Sequence, residues 1–216
     1  MSEELGKIEK PSAEQFGGGR KLFYVPLLFT PRRPEPDFDE MVNRYWDQVA
    51  DQIANLEEKL GGVTRVYHEL VPVGGEEGAA VIEELNAASY RIIRKWLDSG
   101  AELQPIEDAP ELAEFMDWSR CLAIGLQSSK AVTKVYEFYS EVRKQRNEHI
   151  SKRIDETLKE CEIGVVLMRE GHEVQYPAGV QVFYVAPPAL DAIHRWIRAR
   201  EEEAQKKSEE DSQHPG

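Results

Sequence analysis

Nine residues combine useful side-chain or backbone chemistry with positions where a ligand site could form. Seven of them follow predicted β-strands, at the carboxyl ends where open parallel sheets bind their ligands. The other two are arginines on one face of a long predicted helix. The nine candidates are Gly74, Gly75, Glu76, Glu107, Asp108, Arg146, Arg153, Arg169 and His172.

Four of these side chains would suit acid–base chemistry or a hard metal ion. They are Glu76, Glu107, Asp108 and His172. Carboxylates and an imidazole are ligands that Mg²⁺, Mn²⁺ and zinc accept. Nothing in their spacing fixes a common centre, however, and no three-ligand zinc signature such as H-E-x-x-H is present. We therefore expect separate solvated positions and no metal site.

The turn at Gly74 and Gly75 leads into a predicted helix, where free backbone N–H groups attract phosphate. Two observations argue against a nucleotide loop. The segment contains neither G-x-G-x-x-G nor G-x-x-x-x-G-K-[ST]. Glu76 and Glu77 would also repel an incoming phosphate. A tight turn, with acidic side chains that compensate the helix dipole, is the simpler interpretation.

An apolar face on the segment 130–160 would contain Arg146 and Arg153 if that segment is one continuous helix. A buried guanidinium must be paired with a carboxylate. One alternative is that the helix breaks near residues 143–149 or that the arginines reach solvent, which costs less. The other is that Arg146 or Arg153 lies opposite a carboxylate at the strand ends, Glu76, Glu107 or Asp108, as a structural network or an anion clamp.

His172 is the best candidate for a functional histidine, because it follows Gly171 at the end of a predicted strand. A surface histidine with satisfied hydrogen bonds is the competing interpretation. The sequence contains no G-x-S-x-G nucleophile elbow. Whether the chain is an enzyme therefore stays open at this level.

Composition and charge exclude several classes of protein. The formal net charge of −13 argues against a nucleic-acid partner, since phosphate binding needs clustered Lys and Arg. The acidic residues in segment 1–10 and the absence of a long apolar run argue against a signal peptide and a membrane span. Cys121 and Cys161 are expected to be buried structural thiols. A cytosolic location is the simplest expectation.

The order of apolar patterns predicts an α/β fold. Five apolar runs alternate with amphipathic helices long enough to cross over, which favours parallel pairing. The expected architecture is a three-layer sandwich with a mostly parallel sheet of about five strands. We expect one domain over residues 21–200, a flexible tail over 1–20 and a charged, disordered tail over 201–216.

The bounds and positions of several predicted strands and helices are less certain than the fold class. Pro26 lies inside the first predicted strand and suggests an edge position or a bulge, because proline cannot donate to the ladder. The second strand is predicted over 63–73 and the third over 101–106. A single helix is expected from Glu76 to Trp96. The direction of the fifth strand is left open.

Two stretches together resemble a prokaryotic protein family without an assigned activity. They are the segments 70–103, beginning Leu-Val-Pro-Val-Gly-Gly-Glu, and 153–172, beginning Arg-Ile-Asp-Glu-Thr-Leu-Lys-Glu. The resemblance implies the α/β order and no catalytic residue. Segment 150–185 is also similar to the C-terminal domains of archaeal and eukaryotic peptide-release-factor relatives, which implies a role at the ribosome.

Three functions from different classes are compatible with the sequence. The first is a binding module for a small ligand or a protein, without covalent chemistry, because no nucleophile, metal set or nucleotide loop can be assembled. The second is a hydrolase that uses the carboxylate and histidine cluster. The third is a translation-associated or regulatory interaction protein. The expected partners are a small molecule, another protein or a second copy in a homodimer.

Overall fold

The structure is a computed structural model that describes residues 18–30 and 35–213. Five strands carry alternating or continuous apolar residues. The strands are β1 (Arg20–Pro26), β2 (Arg65–His68), β3 (Glu102–Leu103), β4 (Ile163–Met168) and β5 (Val180–Tyr184). Most of the tail expected over 1–20 lies outside the described residues, as do residues 214–216 of the other tail.

Six helices connect or follow these strands within the described part of the chain. They are α1 (Pro36–Leu60), α2 (Gly75–Leu85), α3 (Ala87–Asp98), α4 (Ala109–Ala123), α5 (Ser129–Thr157) and α6 (Pro188–Gln213). Local signals account for several ends. Asp108 and Ser128 cap α4 and α5 by accepting a backbone N–H three residues later. Gly61, with φ of 113°, ends α1.

The five strands form one sheet in the order β3-β2-β4-β1-β5, and every pairing is parallel. The predicted α/β fold with a parallel sheet is confirmed. β4 is central and all six of its residues are buried, as its continuous apolar run indicated. The prediction of an edge position for the first strand, based on Pro26, is wrong. β1 lies between β4 and β5, and Pro26 is its last residue.

Each face of the sheet supports its own core. Alternate strand residues point to opposite faces, so Val165 packs with α1, α3 and α6 while Val166 packs with α5. The larger core surrounds Trp46 of α1. The smaller one contains Ile150 and Ile154 of α5. These are the three layers of the predicted sandwich.

Several predicted boundaries are corrected. The second and third strands are shorter than 63–73 and 101–106, although Glu69 and Gln104, just beyond them, each still donate a backbone hydrogen bond to the neighbouring strand. The helix predicted through Glu76 to Trp96 is two helices. Asn86 breaks it, and its side chain caps α3 by accepting the Ser89 N–H.

Other expectations about the C-terminal half are also resolved. Segment 129–157 is one continuous helix, and β5 is parallel. α6 extends to Gln213, across much of the segment 201–216 for which a charged, disordered tail was expected. The two cysteines are not core residues, since Cys161 is exposed and Cys121 is half-buried.

Candidate ligand-binding site

The carboxyl ends of β2 and β4 form a crevice because the chain leaves these neighbouring strands toward opposite faces. After β2 it enters α2 and α3, whose Ile82 and Ile93 belong to the larger core. After β4 it enters a loop whose Val174 belongs to the smaller core. Open α/β sheets bind ligands where such connections diverge. The first residues beyond the two strands are Glu69 and Arg169.

Glu69 and Arg169 bridge the ends of β2 and β4. The Arg169 guanidinium donates from Nη2 to Glu69 Oε1 at 2.9 Å and from Nε to Oε2 at 3.2 Å. The Arg169 backbone N–H also donates to Oε2, at 2.8 Å. The Glu69 side chain is only 2% exposed, whereas that of Arg169 is 45% exposed. The carboxylate is thus buried beneath a guanidinium that reaches the surface.

Arg146 of α5 joins a second carboxylate to this pair. Its Nε donates to Glu107 Oε2 at 2.8 Å, and its Nη2 bonds both Glu107 Oε1 and, at 3.2 Å, Glu69 Oε1. Side-chain exposure is 5% for Arg146 and 0% for Glu107. α5 is continuous, and Arg146 is buried and paired with two carboxylates. This arrangement corresponds to the alternative in which one of the two arginines meets a carboxylate at the strand ends. Glu69, Glu107, Arg146 and Arg169 are called the four-charge network below.

The backbone beside the network adopts a strained conformation. Leu70 has φ of 69°, the left-handed region that costs a residue with a Cβ about 1–2 kcal/mol. Its N–H donates to Glu107 Oε1 at 2.9 Å. The buried carboxylate that pairs with Arg146 therefore also holds this turn. Strain of this kind often marks a functional site.

The ion pairs of the network shift the pKa values of Glu69 and Arg146 in the direction that favours their charged forms. Burial by itself would raise the pKa of Glu69, but hydrogen bonds from Arg169 and the charges of Arg169 and Arg146 hold it below its usual value. Burial likewise opposes the charge on Arg146, and the hydrogen bond and charge of Glu107 raise its pKa above the usual value. Each guanidinium of the network thus faces a carboxyl group at ion-pair distance.

A cavity of about 230 Å³ lies over the network. Its floor contains Glu69, Arg146 and Arg169, and its wall contains Phe115 of α4 with Tyr139 of α5. The two rings stack with centroids 5.4 Å apart. The Arg146 guanidinium lies 4.6 Å from the centre of the Phe115 ring. Charged, hydrogen-bonding and aromatic groups therefore converge on one small volume.

Hydrogen bonds of the two floor arginines run through Nε and Nη2. No described residue accepts a hydrogen bond from Nη1 of Arg146 or of Arg169. Nη1 of Arg146 is also not a fully buried atom. It therefore has access to the cavity, and a bound molecule could accept hydrogen bonds from both arginines.

His172 lies on another side of the cavity in the neutral form. Val174 N–H donates to its Nδ1 at 3.3 Å, so Nε2 carries the proton and faces Tyr176 Oη at 3.2 Å. Burial, with the charge of Arg146, lowers the pKa of His172. The ring also packs edge-on against Tyr24, with centroids 4.9 Å apart.

Two carboxylates of the β4–β5 loop form the rim. Glu173 accepts from Arg143 Nη2 at 3.1 Å. Glu170 lies 2.6 Å from His194 Nε2 and accepts a hydrogen bond from Tyr184 at 2.7 Å. The rim is thus acidic where the floor presents guanidinium groups.

The remaining sequence candidates lie elsewhere and have other partners. Gly74 is the N-cap of α2, and the Glu76 side chain, 83% exposed, pairs with Arg94 at 3.0 Å. Asp108 accepts the Glu111 N–H at the start of α4. Arg153 bonds Glu156 at 3.0 Å and the Pro105 carbonyl at 3.4 Å. Gly75 supplies only the φ of 60° that begins α2.

Sequence reasoning missed Glu69 and Phe115. Glu69 lay inside the second predicted strand, so it was assigned to a strand interior and not to a strand end. The available signal was the polar pair His68–Glu69 within an apolar run, because a buried acid there requires a partner. No local signal distinguishes Phe115 from other apolar residues of α4.

A larger trough of about 840 Å³ runs beside α5, between that helix and the β4–β5 loop. Its lining includes Lys144, Lys152 and Asp155, whose side chains are exposed. Water already solvates these charges, so a ligand gains little there. The smaller cavity has the buried polar groups that give orientation and specificity.

The described residues contain no group of three or more His, Cys, Asp or Glu side chains that could hold a metal ion. Glu76, Glu107, Asp108 and His172 do not converge, for the reasons given above. Within the same residues no helix combines the length and apolar character needed to cross a bilayer.

Comparison with known proteins identifies no relative: no protein-family model matches this chain, and no curated protein or solved structure is significantly similar to it.

Proposed function

We propose that this chain is a small-ligand-binding α/β protein whose ligand occupies the cavity at the carboxyl ends of β2 and β4. The observation that carries the proposal is the four-charge network beneath the cavity. It keeps two guanidinium groups in fixed positions, each with Nη1 not bonded to a described residue. Preorganised donors of this kind lower the cost of binding.

The charges favour a small polar molecule with an acceptor end and a donor end. The floor offers guanidinium N–H groups from Arg146 and Arg169, while the rim offers the carboxylates of Glu170 and Glu173. An anion alone would meet the repulsion of the rim carboxylates and of Glu69. A zwitterion of amino-acid size suits both, because its carboxylate meets the floor and its ammonium meets the rim.

The volume and the wall restrict the ligand further. A cavity of about 230 Å³ is smaller than the roughly 300–1,000 Å³ usual for drug-sized ligands. Phe115 and Tyr139 form an aromatic wall on which an apolar or planar side chain can pack. We therefore infer that the ligand class is amino acids or similarly small zwitterions.

The hydrolase alternative has less support because its candidate acid and base residues lie at separate places and contact different partners. Glu76 pairs with Arg94, Asp108 caps α4 and His172 contacts Tyr176. A catalytic pair needs its acid and base within reach of one substrate. We also keep a cytosolic location as part of the proposal, supported by the unpaired thiol of the exposed Cys161.

The test is thermal unfolding and native mass spectrometry with a panel of amino acids, each paired with its N-acetyl and amide derivatives. We expect a subset of the free amino acids to raise the melting temperature and to give a one-to-one complex. The derivatives should have smaller effects, because each lacks one of the two charges. Neutral sugars serve as the negative probe.

A matched pair of variants locates the effect. Glu173→Gln alters the rim, and we expect it to weaken binding of the free amino acid about tenfold. Glu156→Gln removes a comparable half-exposed carboxylate that pairs with Arg153 outside the cavity, and binding should be unchanged. If no amino acid shifts the melting temperature, or if both variants behave alike, the proposal is wrong.

A further inference from the structure

β5 ends the sheet with backbone groups that bond to no described residue. Its neighbour in the described sheet is β1, and the N–H of Val185, just beyond β5, donates to the Tyr24 carbonyl at 2.8 Å. Alternate residues of a strand direct their backbone groups to opposite sides, so Val182 and Tyr184 direct theirs away from β1. No described residue bonds to the backbone N–H or C=O of either. This edge therefore has unused donors and acceptors.

The composition of β5 leaves its edge open to another strand. Natural edge strands are protected by charged residues, by proline or by shortness. The five residues of β5, Val-Gln-Val-Phe-Tyr, include no charge and no proline, and Val182 and Tyr184 are 41% and 52% exposed. At the other edge, β3 has only two residues, and Glu102 pairs with Arg65 at 2.7 Å. Strand addition is thus favoured at β5 over β3.

The β5 edge is complementary to a copy of itself. In an antiparallel pair with Val182 opposite Val182 of a second copy, each N–H donates to the carbonyl of the other. The same register places Val180 opposite Tyr184, so that the Tyr184 N–H donates to the Val180 carbonyl. The side chains of these pairs are apolar or aromatic, and no charges of like sign meet. A two-fold axis beside Val182 therefore satisfies both edges.

α6 shows which of its residues lie at the level of this axis. His194 of α6 and Tyr184 of β5 bond the same carboxylate, Glu170, at 2.6 and 2.7 Å, so they lie at a similar level of the sheet. Val182 is two residues, or about 7 Å, further down the strand. α6 runs back along β5 and covers that distance in about five residues, at 1.5 Å per residue. The axis therefore passes α6 between Arg198 and Glu201.

Arg198 and Glu201 lie on the side of α6 that faces away from α1. The other side packs on α1 through Trp196, whose ring centroid lies 4.8 Å from that of Phe38. At about 100° per residue, Arg198 and Glu201 are each at least about 140° around the helix from Trp196. Both are exposed, and neither takes part in an ion pair with a described residue. Two unpaired opposite charges thus flank the expected axis.

We propose that two copies of this chain form a dimer in which the β5 strands pair antiparallel, across a two-fold axis perpendicular to the sheet. The two sheets join into one, and the two α6 helices lie antiparallel on the same face. Arg198 of each copy then meets Glu201 of the other, so the contact contains two ion pairs of opposite charge. It also covers a depression of about 280 Å³ lined by His194, Ile197 and Arg198.

The argument for a second copy is that strand and helix give the same axis independently. The backbone groups of β5 place it beside Val182, and the charges of α6 place it between Arg198 and Glu201. An unrelated strand would satisfy the first of these and not the second. The inference goes beyond the proposed ligand binding, and its tests require no ligand.

The first test measures the mass of the full chain in solution, by sedimentation velocity and light scattering over a wide range of protein concentration. We expect a concentration-dependent approach to twice the single-chain mass of 24.7 kDa. A single-chain mass at every concentration would overturn the proposal. So would a three- or four-chain assembly, because a closed two-fold interface stops at two.

The second test removes one backbone donor from the edge. Val182→Pro lacks the N–H that would bond the second copy, and because that N–H faces away from β1 the fold should remain. We expect the dimer dissociation constant to rise by more than about tenfold. Val182→Thr keeps both the N–H and the branched side chain, and it should dimerise as the wild type does. A folded proline variant that still dimerises normally would refute the β5 pairing.

The third test reverses the two charges of α6 one at a time. Arg198→Glu places carboxylates opposite Glu201 of the other copy, and Glu201→Arg places guanidinium groups opposite Arg198. Each variant alone should dimerise more than about tenfold more weakly than the wild type. A one-to-one mixture should restore the dimer, because both contacts then join opposite charges.

The matched control is Arg195→Glu, which makes the same charge change on the same helix. Arg195 lines a depression that it shares with Met41 and Arg44 of α1, so it lies away from the proposed contact, and dimerisation should be unchanged. Circular dichroism of every variant reports folding. Folded charge variants that stay monomeric when mixed would contradict the proposal, and so would an equal weakening by Arg195→Glu.

Discussion

Arg146 and Glu107 form a buried two-point ion pair across 39 residues of sequence, with Arg146 Nε 2.8 Å from Glu107 Oε2 and Nη2 bonded to Oε1. Glu69 accepts a further hydrogen bond from Arg146 and links it to Arg169. The pair joins α5 to the loop that follows β3, while Arg169 joins the ends of β2 and β4. Four elements that bound the cavity are therefore tied by charge.

Arg146→Met tests the contribution of the network to stability. Removing the guanidinium leaves Glu107 and Glu69 buried with fewer partners, which typically costs about 3–5 kcal/mol. The matched control is Arg153→Met on the same helix, where the arginine side chain is 31% exposed and the expected change is within about 1 kcal/mol. Urea unfolding at neutral pH measures both. Equal losses in the free energy of unfolding for the two variants would contradict a special contribution of the buried Arg146 ion pair to stability.

Glu107→Gln and Glu76→Gln compare two carboxylates that the sequence could not rank. An amide at position 107 has one acceptor oxygen, so in either orientation its NH2 group would face an N–H donor of Arg146 and the charge of the pair would be lost, and we expect a loss of about 3 kcal/mol. Glu76 pairs with Arg94 in solvent, and its replacement should cost less than about 1 kcal/mol. The comparison needs only equilibrium denaturation. A cost at position 76 that matched the one at 107 would contradict the assigned burial.

His68 predicts a dependence of stability on pH. Burial lowers its pKa from 6.5 to about 4, so the unfolded chain binds the proton more tightly than the folded one. Stability is complete above pH 6.5 and is lost as the pH falls, by about 2 kcal/mol between pH 7 and pH 5. The lowered pKa of His172 adds to the loss with the same sign.

The measurement for His68 is the free energy of unfolding in urea at pH 7 and pH 5, with His68→Gln as the variant. We expect the variant to be less stable at pH 7, because Nδ1 of His68 lies 2.6 Å from the Glu69 carbonyl. Its loss between the two pH values should be much smaller than that of the wild type. An unchanged slope would exclude His68 as the titrating group.

Gly78 and Gly62 predict outcomes of very different size for the same substitution. A Cβ on Gly78 in α2 would lie 2.3 Å from the Val73 carbonyl oxygen, so Gly78→Ala should destabilise by several kcal/mol although alanine favours helix by about 1 kcal/mol. At Gly62 the nearest atom would be 4.0 Å away, and Gly62→Ala should stay within about 0.5 kcal/mol. Thermal unfolding of both variants checks the contrast.

Local patterns predicted most elements because secondary structure follows the spacing of nearby residues. The four-residue and three-residue steps from Val42 to Ile53 made α1 evident. The six apolar residues of β4 indicated a strand buried on both faces. Boundaries failed where a polar side chain competes with the helix, as Asn86 does between α2 and α3.

The structure brings together some of the candidate residues and separates others. Glu107, Arg146, Arg169 and His172 do come together around the cavity or beneath it. Glu76 and Arg153 do not, since each contacts a surface partner instead. Residue type and strand-end position select polar groups near one edge of the sheet, but they do not select which groups face each other.

The sequence by itself determined the α/β class, the parallel pairing of most strands and the need for Arg146 to find a carboxylate if α5 was continuous, whereas the direction of β5 needed the structure. Only the tertiary structure decided that the carboxylate is Glu107, and that Glu69 and Arg169 meet across 100 residues. The reason is the strand order β3-β2-β4-β1-β5, which makes β2 and β4 neighbours. Strand order depends on how helices pack over both faces of the whole sheet, and no local spacing of residues records it.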